Sequence, residues 1–274
     1  MTKKECEARI DIEKLIQYQS LTQEAAKFLK VLVASGYNIF ISGETNSGKS
    51  TFLNALSAFI PEEERVITIE ESAELQIQQV PNLIRLEARN ANSKGEGMVT
   101  IRDLIRAALR MNPDRIIVGE VRSGEAVDLL TAFNTGHSGM VTGCGYSPLD
   151  MLSRLESMVR MAAELPLVDI RSQICAAIDI IVQLGRLRDR SRHVLSIVEI
   201  TGIVQGEIQL NPLFVFQEEA EDRTQERLGQ DGEKDGRSER KGTYAQRQGR
   251  VAGKLICVGK ISRKEKLQAA GYEL

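Results

Sequence analysis

Nine consecutive residues, Gly43-Glu44-Thr45-Asn46-Ser47-Gly48-Lys49-Ser50-Thr51, follow the pattern G-x-x-x-x-G-K-[ST] without deviation. Such a stretch can hold phosphate. Its glycines let the backbone wrap so that successive N–H groups point at phosphate oxygens. The helix that follows presents its positive end to the same anion. Lys49 would place a point charge on the β- and γ-phosphates, and Ser50 a hydroxyl on Mg²⁺. A glycine-rich turn with an incidental lysine shares the pattern but lacks the flanking elements. Here Asn38–Ser42 reads as a short apolar strand and Ser50–Phe59 as an amphipathic helix stopped by Pro61. This context points to a bound nucleoside triphosphate.

Four further groups could act on that ligand. Ile116-Ile117-Val118-Gly119-Glu120 is an apolar strand tipped by an acid, the arrangement that holds Mg²⁺ through water or orients the water attacking the γ-phosphoryl. Thr68 to Leu75 carries Glu70, Glu71 and Glu74 just past a strand end, where a parallel sheet keeps its ligands. Glu70 and Glu71 are candidates for a catalytic or metal-organising role, the alternative being solvated loop charges. Gly136-His137-Ser138-Gly139 offers His137 as a γ-phosphate sensor, against the plainer reading of a polar loop histidine. Arg102, Arg106 and Arg110 lie four residues apart on one helix stripe. They are a solvated face, or they join Arg85, Arg89 and Arg122 in reaching nucleotide on a neighbouring subunit. His193 falls in an alternating strand and suggests no role.

The elements that must position these groups are legible from periodicity. Leu15, Ile16, Leu21, Phe28, Leu29, Leu32 and Val33 recur at helical spacing over residues 1–36. Strands are expected at 65–69 and 83–86, and helices at 100–111 and 124–133. The four glycines of 136–145 demand a loop, or a strand approached closely by its neighbours. A helix starts at Ser147-Pro148, another covers 170–177, and two antiparallel strands flank the turn Arg188–Ser191. Half of the 34 residues from Gln217 to Arg250 are charged, nine acidic and eight basic, so a disordered insertion is expected at 217–250. A strand and a short helix then close residues 251–274. The resulting division is a helical lead-in (1–36), a nucleotide-binding core (37–216), the insertion, and a C-terminal return.

Composition narrows the partners. The chain has 274 residues, 42% hydrophobic and 27% charged, with a net charge of −2. No run approaches the roughly 20 apolar residues of a membrane-spanning helix, and no signal-peptide core follows Met1. The mild acidity and 4% aromatic content argue against a bulk grip on nucleic acid. Four dispersed cysteines read as reduced thiols of a cytoplasmic protein. No Asn-Lys-x-Asp motif is present, which excludes a small GTPase.

Together these segments resemble the secretion ATPases of the type II/type IV superfamily, and most closely its CpaF/TadA-like branch of Flp-type pilus assembly. The likeness is carried by Gly36–Gly43 leading into the phosphate loop, Glu70–Leu75, Ile84–Arg89, Thr100–Ala126, Asn134–His137, Leu152–Glu156 and Asp179–Leu184. It implies a RecA-like P-loop core: a twisted, mainly parallel α/β sheet flanked by helices. It also implies hydrolysis of ATP with Mg²⁺ and a homo- or mixed hexamer. The ring would work at inner-membrane secretion or pilus platform proteins, peripheral to the cytoplasmic face. Carried over by residue, Gly43–Thr51 is the phosphate loop, Glu120 the Walker B glutamate, Glu70 and Glu71 the acidic box, and His137 the first histidine of the His box.

Two departures accompany the likeness. Cys144 stands where relatives place a second histidine, after an apparent one-residue deletion, and only about 40 residues precede Gly43. The expectation is a fragment, a shortened paralogue or half of a split system, binding ATP better than it hydrolyses it. The leading reading is a motor ATPase. The alternatives are a weakly hydrolysing assembly subunit and, less favoured, a RecA-like DNA translocase.

Overall fold

The computed structural model describes residues 10–219 and 251–273. Their strands form one nine-stranded sheet in the order β3-β2-β4-β5-β1-β6-β7-β8-β9. The parallel part comprises β1 (Ile39–Gly43), β2 (Val66–Glu70), β3 (Leu83–Glu87), β4 (Arg115–Val121), β5 (Ser138–Gly143) and β6 (Ile180–Arg186). An antiparallel extension follows: β7 (Arg192–Val204), β8 (Glu207–Glu218) and β9 (Gly253–Cys257).

Helices cover both faces, which is why the central strands read as continuous apolar runs. On one face lie α1 (Ile12–Gln17), α2 (Gln23–Ala34), α3 (Lys49–Ser57) and the C-terminal α8 (Glu265–Ala269). The other carries α4 (Ile101–Leu109), α5 (Ala126–Asn134), α6 (Pro148–Ala162) and α7 (Leu167–Ala177). Side chains alternate between the two cores along each strand. Ile39 and Ile41 of β1 join the first core, while Phe40 joins the second. Local signals start the helices as read. Thr100 and Asp103 form a reciprocal capping box on α4, and Ser147 caps α6 with Pro148 in its first turn.

The glycine-rich stretch resolves as strand β5, with the close approach its composition demanded. A Cβ on Gly139 would meet the Phe133 ring and the Ile116 carbonyl oxygen. The strand β8 is an addition to the sequence reading. It also runs through Gln217 and Glu218, which pair with Lys254 and Gly253, so these two residues are sheet and not the start of an insertion. Residues 220–250 of the expected insertion lie outside the described residues.

At the start of β4, Arg115 is fully buried. Its Nε and Nη2 donate to both carboxylate oxygens of Glu64 at 2.6 and 2.8 Å, and Nη2 also to the Val33 carbonyl. Removing Glu64 would leave a buried guanidinium unpaired. We therefore expect Glu64→Ala to lose about 3 kcal/mol of stability in urea unfolding, and a loss below about 1 kcal/mol would contradict this.

Candidate active site

Strand β1 ends at Gly43 and the chain turns at once into the phosphate loop and α3. Two backbone positions make the turn. Asn46 has φ +64° and Gly48 φ +95°, the left-handed region that glycine enters without strain. Gly43 has no room for a side chain, since a Cβ there would meet Ser47 Oγ and lie 2.9 Å from the Leu184 carbonyl oxygen. Lys49 is buried at the first turn of α3. Its ammonium donates to the carbonyls of Gly43 (3.0 Å) and Glu44 (3.1 Å), so the loop holds its own cation in reserve. Ser47 Oγ is buried without a hydrogen-bond partner, an orphaned hydroxyl inside the loop. Thr45 to Phe52 line a cavity of about 910 Å³.

Glu120 and Arg122 face the same cavity. A register shift between Val118 and Val121 turns the end of β4 out of regular pairing, and Thr142 Oγ1 donates to the Gly119 carbonyl at 2.6 Å to fix it there. Glu120 Oε2 accepts from Arg122 Nε (2.9 Å) and Nη2 (2.5 Å), and Oε1 accepts from the Cys144 thiol (3.0 Å). Burial pushes the Glu120 carboxyl up, but the bonds from Cys144 and Arg122 and the charges of Arg122 and Lys49 outweigh it. The group is held below the usual carboxylate range. It is therefore an anion ready to accept a proton or a metal-bound water.

The acidic segment divides. Glu70 is buried, and its Oε1 accepts from the backbone of Glu74 (3.0 Å) and Leu75 (2.9 Å), closing the turn after β2. Burial raises its carboxyl above the ordinary value, against those two donors. Glu71 is exposed and pairs with Arg122 Nη1 at 2.8 Å. The carboxylate of this segment that lines the cavity is Glu74, to which the sequence reading assigned no role.

His137 is not with them. It directly precedes Ser138, the first residue of β5, and β5 runs parallel to β1, so His137 stands at the end of the sheet opposite the phosphate loop. Its Nδ1 lies 3.2 Å from Thr135 Oγ1 and from the Ala132 carbonyl, in a separate cavity with Asp179 and Lys266. The expectation of a γ-phosphate sensor here is corrected: six strand residues separate His137 from the phosphate loop, and the residue that follows β5 and lines that cavity is Cys144. The arginines of α4 also have other work. Arg102 and Arg106 both pair with Asp128 of α5, at 2.6 and 2.7 Å. Arg85 and Arg89 donate to the carbonyls of Ile77 and Gly97.

The antiparallel pair around the turn Arg188–Ser191 is present as β6 and β7, but its part in the site was not read from the sequence. Arg192 reaches across and donates from Nε to the Asn46 carbonyl at 2.8 Å, while Arg190 lines the cavity beside it. Tyr18 and Leu15 of the α1 region close another wall. Nothing in spacing marks Arg192, since its partner is 146 residues away. Arg192→Ala should loosen the strained loop and weaken ATP binding about three- to tenfold in calorimetry; unchanged affinity would show that the loop holds its shape alone.

The sequence profile described as Type II/IV secretion system protein matches residues 5–249. The chain belongs to this family. It is 36% identical over 207 residues to a Mycobacterium tuberculosis protein assigned to conjugal transfer, covering 75% of the chain and 57% of that protein. It is 39% identical over 163 residues to the type IV secretion system protein PtlH of Bordetella pertussis, covering 58% and 48%. The VirB11 ATPase of the Brucella suis type IV secretion system superposes with a TM-score of 0.59 at 31% identity, over 64% of this chain and 53% of that one. The chain thus spans about half the length of the curated relatives it matches.

Proposed function

We propose that the chain binds ATP with Mg²⁺ and hydrolyses it to drive a secretion, conjugation or pilus-assembly machine. The observation that carries this is the convergence of Lys49, Glu120, Arg122 and Cys144 on one cavity floored by the phosphate loop. The phosphates would meet the backbone N–H groups of Thr45 to Thr51, with Lys49 leaving the carbonyls of Gly43 and Glu44 to pair with them. Ser50 and Glu120 supply hard oxygens that fit Mg²⁺, which the triphosphate itself helps to ligate. Held there, Mg²⁺ would supply neutralisation of charge on the transferring phosphoryl group. Glu120 accepts a proton from, or orients, the attacking water. Arg122, which lines the cavity and pairs with Glu120, would meet the charge that develops on the phosphoryl group.

Family membership supports the setting. The motifs resemble the Flp-pilus branch, while the Mycobacterium, Bordetella and Brucella relatives are described as conjugal transfer or type IV secretion proteins, which favours the latter class of machine. We read the working form as a hexameric ring on the cytoplasmic side, acting on inner-membrane platform proteins. Among the described residues no helix is long and apolar enough to cross a membrane. Phosphate release from ATP, measured with and without DNA, tests the reading. ATP turnover indifferent to DNA is expected. Turnover that requires DNA would support a translocase, and no turnover in assembled protein would support the assembly subunit.

A further inference from the structure

Among the described residues, Cys144 touches both Lys49 and Glu120. Its sulfur accepts from Lys49 Nζ at 3.5 Å and its proton goes to Glu120 Oε1 at 3.0 Å. The direction is not ambiguous: an ammonium only donates, and a carboxylate held ionised only accepts. We propose that Cys144 is a positioning residue for Glu120, its thiol aiming the carboxylate toward the phosphate loop. The inference rests on the reading of this cavity as a site of ATP hydrolysis.

Three features give the thiol this role. First, its place is fixed by the backbone on both sides. Thr142, two residues earlier, is bonded to the Gly119 carbonyl next to Glu120. Gly145, one residue later, has its carbonyl held by Gln183 Nε2 at 3.0 Å, and a Cβ there would crowd Ser42 Oγ and Met151. Second, Arg122 takes only Oε2 of the carboxylate. With one oxygen held, Glu120 can swing about its side-chain torsions; with the thiol on Oε1, both oxygens are fixed. Third, the Lys49 ammonium on the sulfur polarises the S–H bond toward the carboxylate, so a weak donor is strengthened where it is used. When a nucleotide draws Lys49 to its phosphates this polarisation is lost, but the thiol stays in place, because the Thr142 and Gly145 contacts that fix it do not involve Lys49. Glu120 then stays aimed during the reaction. A thiol at this position therefore supplies orientation, a different service from that of a cationic donor.

The experiment uses the full chain. Cys144→Ala should lower kcat about tenfold, the loss expected for one hydrogen bond to a charged group, while KM for ATP stays within about twofold. Cys144→Ser keeps a donor of similar size and should restore kcat to within about threefold. The infrared S–H stretch, isolated as the difference between wild type and Cys144→Ser, should lie at low frequency and move up in Glu120→Ala. This band reads the contact whether or not the chain turns over. Absent hydrolysis with a shifted band would overturn the functional reading and keep the contact. An S–H band indifferent to Glu120→Ala, a Cys144→Ala variant with unchanged kcat, or a serine variant as impaired as alanine would each overturn the positioning role.

Discussion

Glu120→Gln is expected to bind MgATP within about threefold of wild type and to lose at least about a hundredfold in turnover. The amide keeps the shape of the side chain, so Arg122 and Cys144 retain a partner of the same size at the end of β4. What it cannot do is take a proton or draw density from water. The structure holds this carboxylate ionised through Cys144, Arg122 and Lys49, so the anionic form is the one the site is built around. Phosphate release and calorimetric binding, measured on the same preparations, separate the two effects. A glutamine variant turning over at the wild-type rate would remove Glu120 from the chemistry.

Lys49→Ala should weaken ATP binding by at least about a hundredfold. In the structure the ammonium sits against two carbonyls of its own loop, 3.0 and 3.1 Å away. These are neutral acceptors, and a triphosphate offers several negative oxygens in a partly dry cavity. Charge-assisted bonds of that kind contribute about 1.5–3 kcal/mol each, enough for the stated loss. Because alanine also leaves the two carbonyls without their donor, the melting temperature of the variant should be read beside its affinity. Equal ATP affinity of folded wild type and variant would contradict the assignment.

What the sequence made legible was what lies contiguous along it. The phosphate loop, Gly43 to Thr51, needs one turn and one helix start, both written in nine neighbouring residues. Glu120 was legible because a buried parallel strand places the residues at its C-terminal end at the ligand edge. His137 misled for the same geometric reason in reverse. It opens a strand, Cys144 follows that strand, and seven residues of extended chain put them about 20 Å apart. Glycine content alone carries no strand direction, so the stretch 136–145 read as a loop or a strand without saying which end met the phosphate loop. Arg192 and the pairing of Arg102 and Arg106 with Asp128 depend on which elements become neighbours in space, and no local spacing encodes that. Strand β8 escaped because Gln209, Asn211 and Pro212 dilute its alternation and its pairing with β7 is twice irregular.

We propose that ATP sits on the phosphate loop at the end of β1, with Glu120 facing its terminal phosphate and Cys144 holding that carboxylate. A crystal structure of the chain with Mg²⁺ and a non-hydrolysable ATP analogue decides this placement. The expected result has the phosphates on the N–H groups of Thr45 to Thr51, Lys49 moved off the carbonyls of Gly43 and Glu44, and Glu120 facing the γ-phosphate. An analogue bound instead in the cavity beside His137, or a loop with Lys49 still on its carbonyls, would overturn it.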